Sequence, residues 1–251
     1  MQCQLSEKEI RCPIPTAEDR LLECFYFLSQ VEMAYHNPRE FRYSLNALLS
    51  ALSAVSVMAQ KEIEKKGDIV KWNEIRKPYK DDQWLNSIKR ARNVTLHQKS
   101  IFNGSKTSIG LFRGRRLKLA YRKDISGDIT SAEILEAWTN SEPGRTFLDD
   151  EHTAIGEQYG VQRQYWIREI SNSEDVLMSI RRAIIRAHDL LIDAHKMYNM
   201  DIEGISDDCL KPEELAKINV LLEGDLDPTL YKKWGVVSII VYKQIGYFHY
   251  S

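Results

Sequence analysis

One helical pattern between Asn37 and Gly67 constrains the fold of this chain more than any other feature. Asn37, followed by proline, is typical of a helix start, and Gly67 of a helix end. The positions between the apolar residues are mostly Ser and Ala, which let neighbouring helices approach closely. We therefore expect a long helix near the centre of a bundle. Its apolar face is formed by Phe41, Leu45, Leu48, Leu49, Leu52, Val55 and Met58.

Three other segments have a helical pattern. Apolar periodicity predicts one helix over about 16–36, and a second helix starts near Asp81. The capping-box pattern at Ser171–Glu174 predicts a further helix that runs to about residue 198. These helices would form the core of the bundle.

The helical period lapses between residues 99 and 171. Alternating residues on both sides of the turn Arg113–Arg116 predict a basic hairpin over 107–122, and 130–139 reads as a short helix. A β-branched run at 236–242 is typical of a strand or of a last buried helix. We expect one domain over 1–251: a helical core at about 16–98 and 171–199, an insertion at about 99–170 and a C-terminal extension at 200–251.

The bulk composition excludes several classes of protein. The 43% hydrophobic and 28% charged content is ordinary for a globular protein. The four cysteines form no C-x-x-C pair and no zinc-finger spacing, which indicates reduced thiols. We find no secretory signal, no apolar run long enough for a membrane span and no P-loop, Rossmann, hydrolase-elbow or zincin motif. We expect a cytoplasmic protein without a cofactor and without a membrane partner.

A basic tract suggests a partner. Residues 83–123 contain eleven Lys or Arg and no Asp or Glu, in a chain whose net charge is −1. This concentration of positive charge favours the binding of a polyanion, most commonly a phosphate backbone. A run of charges is also typical of a solvated surface. Tyr121, beside this cluster, would either stack on a base or pack. The candidate phosphate-binding residues are Lys89, Arg90, Arg113, Arg115, Arg116 and Lys118.

The segment Arg92–His97 lies inside the basic tract and has the residues for phosphate chemistry. Imidazole exchanges protons near neutrality, and a guanidinium grips phosphate while keeping its charge. On an unbroken helix, however, five positions turn a residue by about 140°. Arg92 and His97 would therefore meet on one phosphate only if the helix ends or bends between them, or if two protomers contribute.

The same segment resembles the R-x4-H motif of the HEPN superfamily, and the helix from Tyr43 to Glu62 resembles the second helix of HEPN-like bacterial proteins. The resemblance implies a mainly α fold, a four-helix up-and-down bundle, here with a small β-hairpin insertion. It also implies a homodimer and metal-independent RNA cleavage, as in toxin–antitoxin or phage-defence systems. In that role His97 is the general base or acid, Arg92 binds the scissile phosphate and Asn93 orients either group.

The expected function is therefore RNA binding with endoribonuclease activity, and an antitoxin or other protein partner is compatible with it. The alternative is a non-catalytic helical interaction protein, in which Arg92 pairs with a carboxylate, His97 caps a helix and the segment shapes a dimer interface. A metal site on the predicted helix at about 171–198 is disfavoured, because the Glu-x-x-His spacing of bundle metal sites is missing. The residues concerned are His188, Asp189, Asp193 and His195.

Overall fold

The computed structural model describes residues 12–97, 104–125, 129–141, 155–171 and 174–226. The helices in these segments are α1 (Pro15–Met33), α2 (Pro38–Lys65), α3 (Ile69–Lys80), α4 (Gln83–His97), α5 (Ser131–Thr139), α6 (Val176–Lys196) and α7 (Pro212–Asn219). The strands are β1 (Gly104–Arg113), β2 (Arg116–Ile125), β3 (Gln158–Trp166) and β4 (Val220–Leu222). None of the described helices is long and apolar enough to cross a membrane.

The helical part of the fold is organised around α2, as its sequence pattern predicts. Asn37 caps the helix by accepting a hydrogen bond from the backbone N–H of Glu40, and Pro38 occupies the first turn. The buried face of α2 packs along α1 and also contacts α3, α4 and α6. The largest buried side chains of this layer include Trp72, Tyr35, Phe41, Leu45, Leu48, Leu49 and Ile63.

The strands form one antiparallel sheet in the order β2-β1-β3-β4. The pairing of β1 with β2 shifts by one residue and skips Lys118, which is a β-bulge. Gly110 is required at the centre, because a Cβ there would lie 2.1 Å from the carbonyl oxygen of Leu119 on β2. One face of the sheet packs against α5, where Ile134 and Leu135 are buried.

The sheet overturns the expected fold class. A mainly α, four-helix up-and-down bundle with a small hairpin insertion is wrong, because β3 and β4 extend the hairpin into a four-stranded sheet. The physical reason lies in 158–166, where buried side chains alternate with half-buried ones. Strand β4 comes from the expected C-terminal extension, so that segment and the expected insertion build one sheet. The assignment of 1–251 to a single domain stays a prediction.

Several local predictions are confirmed and others are not. The hairpin over 107–122 forms as β1 and β2, and α5 begins at a capping box between Thr130 and Glu133. Helix α3 was missed because it carries Pro78 and buries only Trp72 and Tyr79. Ser171 Oγ accepts from the N–H of Glu174 at 3.1 Å, as in the expected capping box, but α6 begins later, with Asp175 as its cap. The β-branched run at 236–242 lies outside the described residues.

A buried polar group, Asp175, joins the helical layer to the sheet. Its Oδ1 accepts from the N–H of Leu177 at 2.9 Å, which caps α6. Its Oδ2 accepts from the hydroxyl of Tyr35, which follows α1, and from the N–H of Tyr165 on β3 at 3.2 Å. Burial raises the pKa of Asp175 to about 6. Three elements therefore depend on one carboxylate.

Arg163 of β3 is fully buried, and its carbonyl accepts from the same Tyr35 hydroxyl at 3.2 Å. Its Nε and Nη2 donate to Ser105 Oγ at 3.2 and 3.1 Å, and its Nη1 donates to the carbonyl of Ile129 at 2.6 Å. The guanidinium also lies 4.9 Å from the ring centroid of Tyr165. Buried positive charge is stabilised only when such donors find acceptors, so Arg163 serves the junction rather than a ligand.

His36 connects the α1–α2 link to α5. Its Nδ1 lies 2.9 Å from Ser131 Oγ, and its carbonyl accepts from the N–H of Ser131 at 3.0 Å. Burial, followed by the charge of Arg163, lowers the pKa of His36 to about 3. His36 is therefore neutral in the folded protein at neutral pH.

Replacing His36 with Gln should remove a proton-linked loss of stability in acid. The folded pKa of His36 lies below the unfolded value, so its contribution is complete above pH 6.5 and is lost as the pH falls towards 3. Asp175, whose pKa is raised, has the opposite sign between about pH 4 and 6. We expect the unfolding free energy of wild type relative to H36Q to fall by about 2 kcal/mol from pH 7 to pH 5 in urea titrations. Parallel pH profiles of the two proteins would contradict this.

Candidate nucleic-acid interface

Helix α4 carries the Arg92–His97 segment and holds it straight. Asp82 starts the helix by accepting hydrogen bonds from the N–H groups of Trp84 at 2.9 Å and Leu85 at 3.0 Å. The helix then continues without a break to His97. At about 100° per residue, positions 92 and 97 are therefore about 140° apart around the axis. Within one chain the helix does not bring the two residues to the same side.

Arg92 is half-buried and has an unusual environment. Its Nε is buried without a hydrogen-bond partner in the described segments, and its Nη1 makes only a long 3.5 Å contact with Asn93 Oδ1. No ion pair of Arg92 with a carboxylate is found in that part of the chain, so the alternative of a structural Arg–carboxylate pair gains no support. Asn93 is exposed. The side chain of His97 lies outside the described part of the structure.

The helix places position 97 on the side of α4 that carries Arg90 and Asn93. Seven residues separate 90 from 97, which amounts to about two turns. Lys89 and Arg90 are exposed, and Arg90 Nη2 donates to the backbone carbonyl of Glu169 at 3.4 Å. Glu169 follows the end of β3, so this side of α4 borders the sheet. Arg90 is thus the arginine that shares a side of the helix with position 97.

Arg115 in the hairpin turn is tied into the fold. Gly114 has a positive φ of 54°, which fits the first central residue of a type II′ turn. Arg115 follows it and donates to the carbonyl of Val220 on β4, and its Nη2 donates to Asp225 Oδ1 at 3.0 Å. Both partners of the Arg115–Asp225 ion pair are largely buried. This guanidinium clamps the turn to the region of β4.

The other three candidate phosphate-binding residues of the hairpin, Arg113, Arg116 and Lys118, are exposed. Arg113 Nε lies 3.5 Å from Glu157 Oε1, in a solvent-exposed pair of the kind that contributes little to stability. Arg116 and Lys118 have no ion pair within the described residues. The sequence therefore identified two cations that are available to a phosphate, one that is weakly paired and one, Arg115, that is structural.

The sequence analysis missed the outer face of the sheet, the face opposite α5. On β3 the residues that point there alternate with buried ones, and on β1 and β2 their neighbours in register point the same way. The central and open part of this face consists of Lys106, Ser108, Arg122, Asp124, Gln162, Gln164 and Trp166. The signal that could have found it is the period of two in 158–166.

Polar and aromatic groups lie in two rows across the outer face. Ser108 is in register with Arg122 on one side and Gln162 on the other, and Lys106 is in register with Asp124 and Gln164. Lys106 Nζ lies 5.3 Å above the ring centroid of Trp166. Arg122 and Lys106 are exposed, whereas Gln162, Gln164 and Trp166 are half-buried. The face thus combines cations, amides and an indole, with one carboxylate at its margin.

Tyr121 points to the opposite face of the sheet. Its ring stacks on Trp138 of α5 with centroids 5.9 Å apart and an interplanar angle of 16°. Its side chain is still 56% exposed, so one ring face remains accessible. Tyr121 therefore packs through one face of its ring, and the exposed part of the ring could still stack on a base.

Comparison with known proteins places the chain in a phage family. The model of the family described as bacteriophage lambda protein ea47 matches residues 6–214, and the chain belongs to this family. No curated protein and no solved structure matches the chain. The family description names no substrate and no partner, and membership of the HEPN superfamily stays a prediction.

The contacts of Arg115 and Arg116 predict effects of very different size on stability when each side chain is removed. R115A should lower the free energy of unfolding by about 1.5–3 kcal/mol, because it removes charge-assisted hydrogen bonds and leaves Asp225 without this partner. R116A, one residue along the same hairpin, should change it by less than about 0.5 kcal/mol. Urea denaturation followed by tryptophan fluorescence measures both. Equal effects would show that the Arg115 clamp contributes no more than a surface charge.

Proposed function

We propose that this member of the bacteriophage lambda Ea47 family binds single-stranded RNA on the outer face of its sheet and on the adjoining side of α4. The observation that carries the proposal is the Lys106–Trp166 pair. An indole offers a surface on which a base stacks. A stacked base would displace the Lys106 ammonium from above the ring, and the ammonium would then pair with a phosphate of the same strand. Arg122, across two strands, continues the positive charge.

The chemistry of the face favours a single strand over a duplex. A duplex presents its phosphates and hides the faces of its bases, whereas a single strand exposes bases that can stack on an aromatic side chain. Gln162 and Gln164 lie on β3, in register with Ser108 and Lys106, and offer both donors and acceptors to base edges. The resemblance of residues 92–97 to ribonuclease motifs favours RNA over DNA.

Helix α4 supports the proposal because it extends the same positive surface. Arg90 contacts the backbone at Glu169, three residues after Trp166 at the end of β3. Lys89 lies on the same exposed helix. Exposed cations on both elements would release counterions on binding a phosphate backbone, so affinity should fall steeply with salt.

W166A and the double variant K106Q/R122Q should weaken RNA binding in different ways. Loss of the indole removes the stacking of one base, which is worth about 1–3 kcal/mol, or about 5- to 150-fold in Kd. Loss of the two cations should reduce the slope of log K against log salt by about 0.7 per phosphate contact. Fluorescence anisotropy with a labelled single-stranded RNA measures both quantities.

The matched control is K71Q, which removes an exposed lysine from α3, where it pairs with Asp68. It should leave both affinity and salt slope unchanged. A DNA strand of the same sequence tests the preference for RNA. If wild type fails to bind RNA, or if W166A and K106Q/R122Q bind like K71Q, the proposed face is wrong and the interaction-protein alternative is favoured.

RNA cleavage by Arg92, Asn93 and His97 is a second candidate function, and it requires two chains. The continuous helix separates positions 92 and 97 by about 140°, while Arg92 Nε is buried without a partner in the described residues. In a homodimer, Arg92 of one protomer and His97 of its partner would bind the same phosphate. RNA supplies the nucleophile, its 2′-hydroxyl, so the proton transfer needs imidazole and no metal.

H97A should abolish cleavage and leave RNA binding within about twofold, because the imidazole moves protons while other groups hold the strand. Wild type incubated with mixed RNA should yield 2′,3′-cyclic phosphate ends, both with and without EDTA. A mixture of inactive H97A and inactive R92A chains should recover activity by forming one intact composite site. H188A, a histidine of α6, is the control. Cleavage that survives in H97A would exclude this site, as would a monomeric wild type that cleaves.

A further inference from the structure

A compact cluster of three side chains of different chemistry lies at one end of the helical layer. His195 Nε2 is 3.4 Å from Cys12 Sγ and 3.1 Å from Glu18 Oε1. The three potential ligand atoms all lie within 4.8 Å of one another. Thiolate, imidazole and carboxylate are the three ligand types that Zn²⁺ takes in proteins. The sequence analysis considered His195 only with its neighbours on its own helix.

The fold brings together residues that are far apart in the chain. Cys12 lies in the extended lead-in before α1, and Glu18 lies in the first turn of α1. His195 lies in the last turn of α6, 183 residues after Cys12. The acids of α6 are used elsewhere: Asp189 pairs with Arg186 and Asp193 accepts from Tyr79. The spacing along α6 could therefore not reveal this cluster.

His195 is held in the orientation of a metal ligand. Its ring is 1% exposed, and its Nδ1 lies 2.8 Å from the backbone carbonyl of Leu191. A carbonyl only accepts, so Nδ1 carries the proton and donates. Nε2, the other ring nitrogen, faces Cys12 Sγ and Glu18 Oε1, and its lone pair would bind a metal ion placed there. Such a hydrogen bond from the second ring nitrogen is the usual support of a zinc-bound histidine.

The two separations that involve His195 Nε2 match a tetrahedral zinc site, and the third, between Cys12 Sγ and the Glu18 carboxylate, is at most 4.8 Å. With Zn–S of about 2.3 Å and Zn–N and Zn–O of about 2.05 Å, tetrahedral angles put S and N about 3.5 Å apart and N and O about 3.3 Å apart. The observed values are 3.4 and 3.1 Å. A shift of a few tenths of an ångström is enough to accommodate the ion.

We propose that Cys12, Glu18 and His195 bind one Zn²⁺ ion. The ion would bind between the Nε2 lone pair of an unprotonated His195 and the Glu18 carboxylate, two groups that both act as acceptors. Glu62, which is also near Cys12, is not a ligand, since its two oxygens accept from the N–H groups of Thr16 and Ala17.

Three protein ligands leave the fourth position of a tetrahedron to water or to another side chain. His188 lies seven residues before His195. Burial lowers the pKa of His188, and the charges of Glu18 and His195 also act on it. Its Nδ1 is buried without a hydrogen-bond partner in the described residues. His188 therefore offers a partner for a zinc-bound water.

Zinc at this position would fasten the lead-in and α1 to the end of α6. A free cysteine thiol carries its proton at neutral pH. Binding forms a Zn–S bond, breaks the S–H bond and releases that proton to the buffer. An ion that binds only the folded chain stabilises it by mass action.

Metal titration of the tag-free, EDTA-stripped and desalted protein tests this proposal. Calorimetry with Zn²⁺ should give one site per chain, with release of a proton. Co²⁺ should give the thiolate charge-transfer band and the intense visible bands of a tetrahedral site. C12S should lose the charge-transfer band, and C12S and E18Q should each lower zinc affinity by more than about 100-fold, beyond the loss caused by removing a group that only orients a ligand.

C209S is the matched control, because Cys209 is also half-buried and contacts only a backbone carbonyl through its thiol. It should retain wild-type affinity and the cobalt spectrum, and zinc should raise its melting temperature as it does that of wild type. Failure of wild type to take up zinc would overturn the proposal, as would a charge-transfer band that persists in C12S. None of these readouts involves RNA, so they test the metal site independently of the proposed function.

Discussion

The hydrogen bonds of Asp175 are the interaction on which the two parts of this structure depend. One carboxylate caps α6, holds Tyr35 after α1 and fixes the backbone of β3 at Tyr165. Burying a charge is unfavourable unless several donors surround it, and these donors come from three separate elements. The junction forms only when helices and sheet are both in place. It therefore couples the folding of the helical layer to that of the sheet, which presents the proposed RNA-binding face.

The sequence specified local structure far better than it specified the assembly. Helix α2 follows from Asn37, Pro38 and a sustained apolar stripe, and the hairpin follows from alternation around Gly114. The sheet did not follow, because β4 has three residues and gains its partners only through β3. The candidate site shows the same limit. Helix geometry alone predicts that positions 92 and 97 point to different sides of α4. The rows on the outer face of the sheet and the Cys12–His195 contact could not be predicted in this way, because they depend on long-range packing.

The cations of the basic tract divide into different physical roles once the fold is known. Arg115 is used to hold the hairpin turn, and Arg113 makes an exposed pair with Glu157. Lys106 and Arg122 project from a face that has few acids. The number of charges along a sequence therefore indicates only the net electrostatic potential of a region. The folded positions of carboxylates and carbonyls decide which of these cations remain available to a ligand.

Among the strands that the structure describes, β2 lies at the edge of the sheet, and this position has a consequence for self-association. An edge strand leaves one row of backbone N–H and C=O groups without a neighbouring strand, and another molecule can pair with that row. Here the strand carries Arg116, Lys118, Arg122 and Lys123, and the bulge at Lys118 interrupts its regular pairing. Two such edges repel each other at low salt. The charges that would attract a nucleic acid thus also protect the folded chain against self-association into extended sheets.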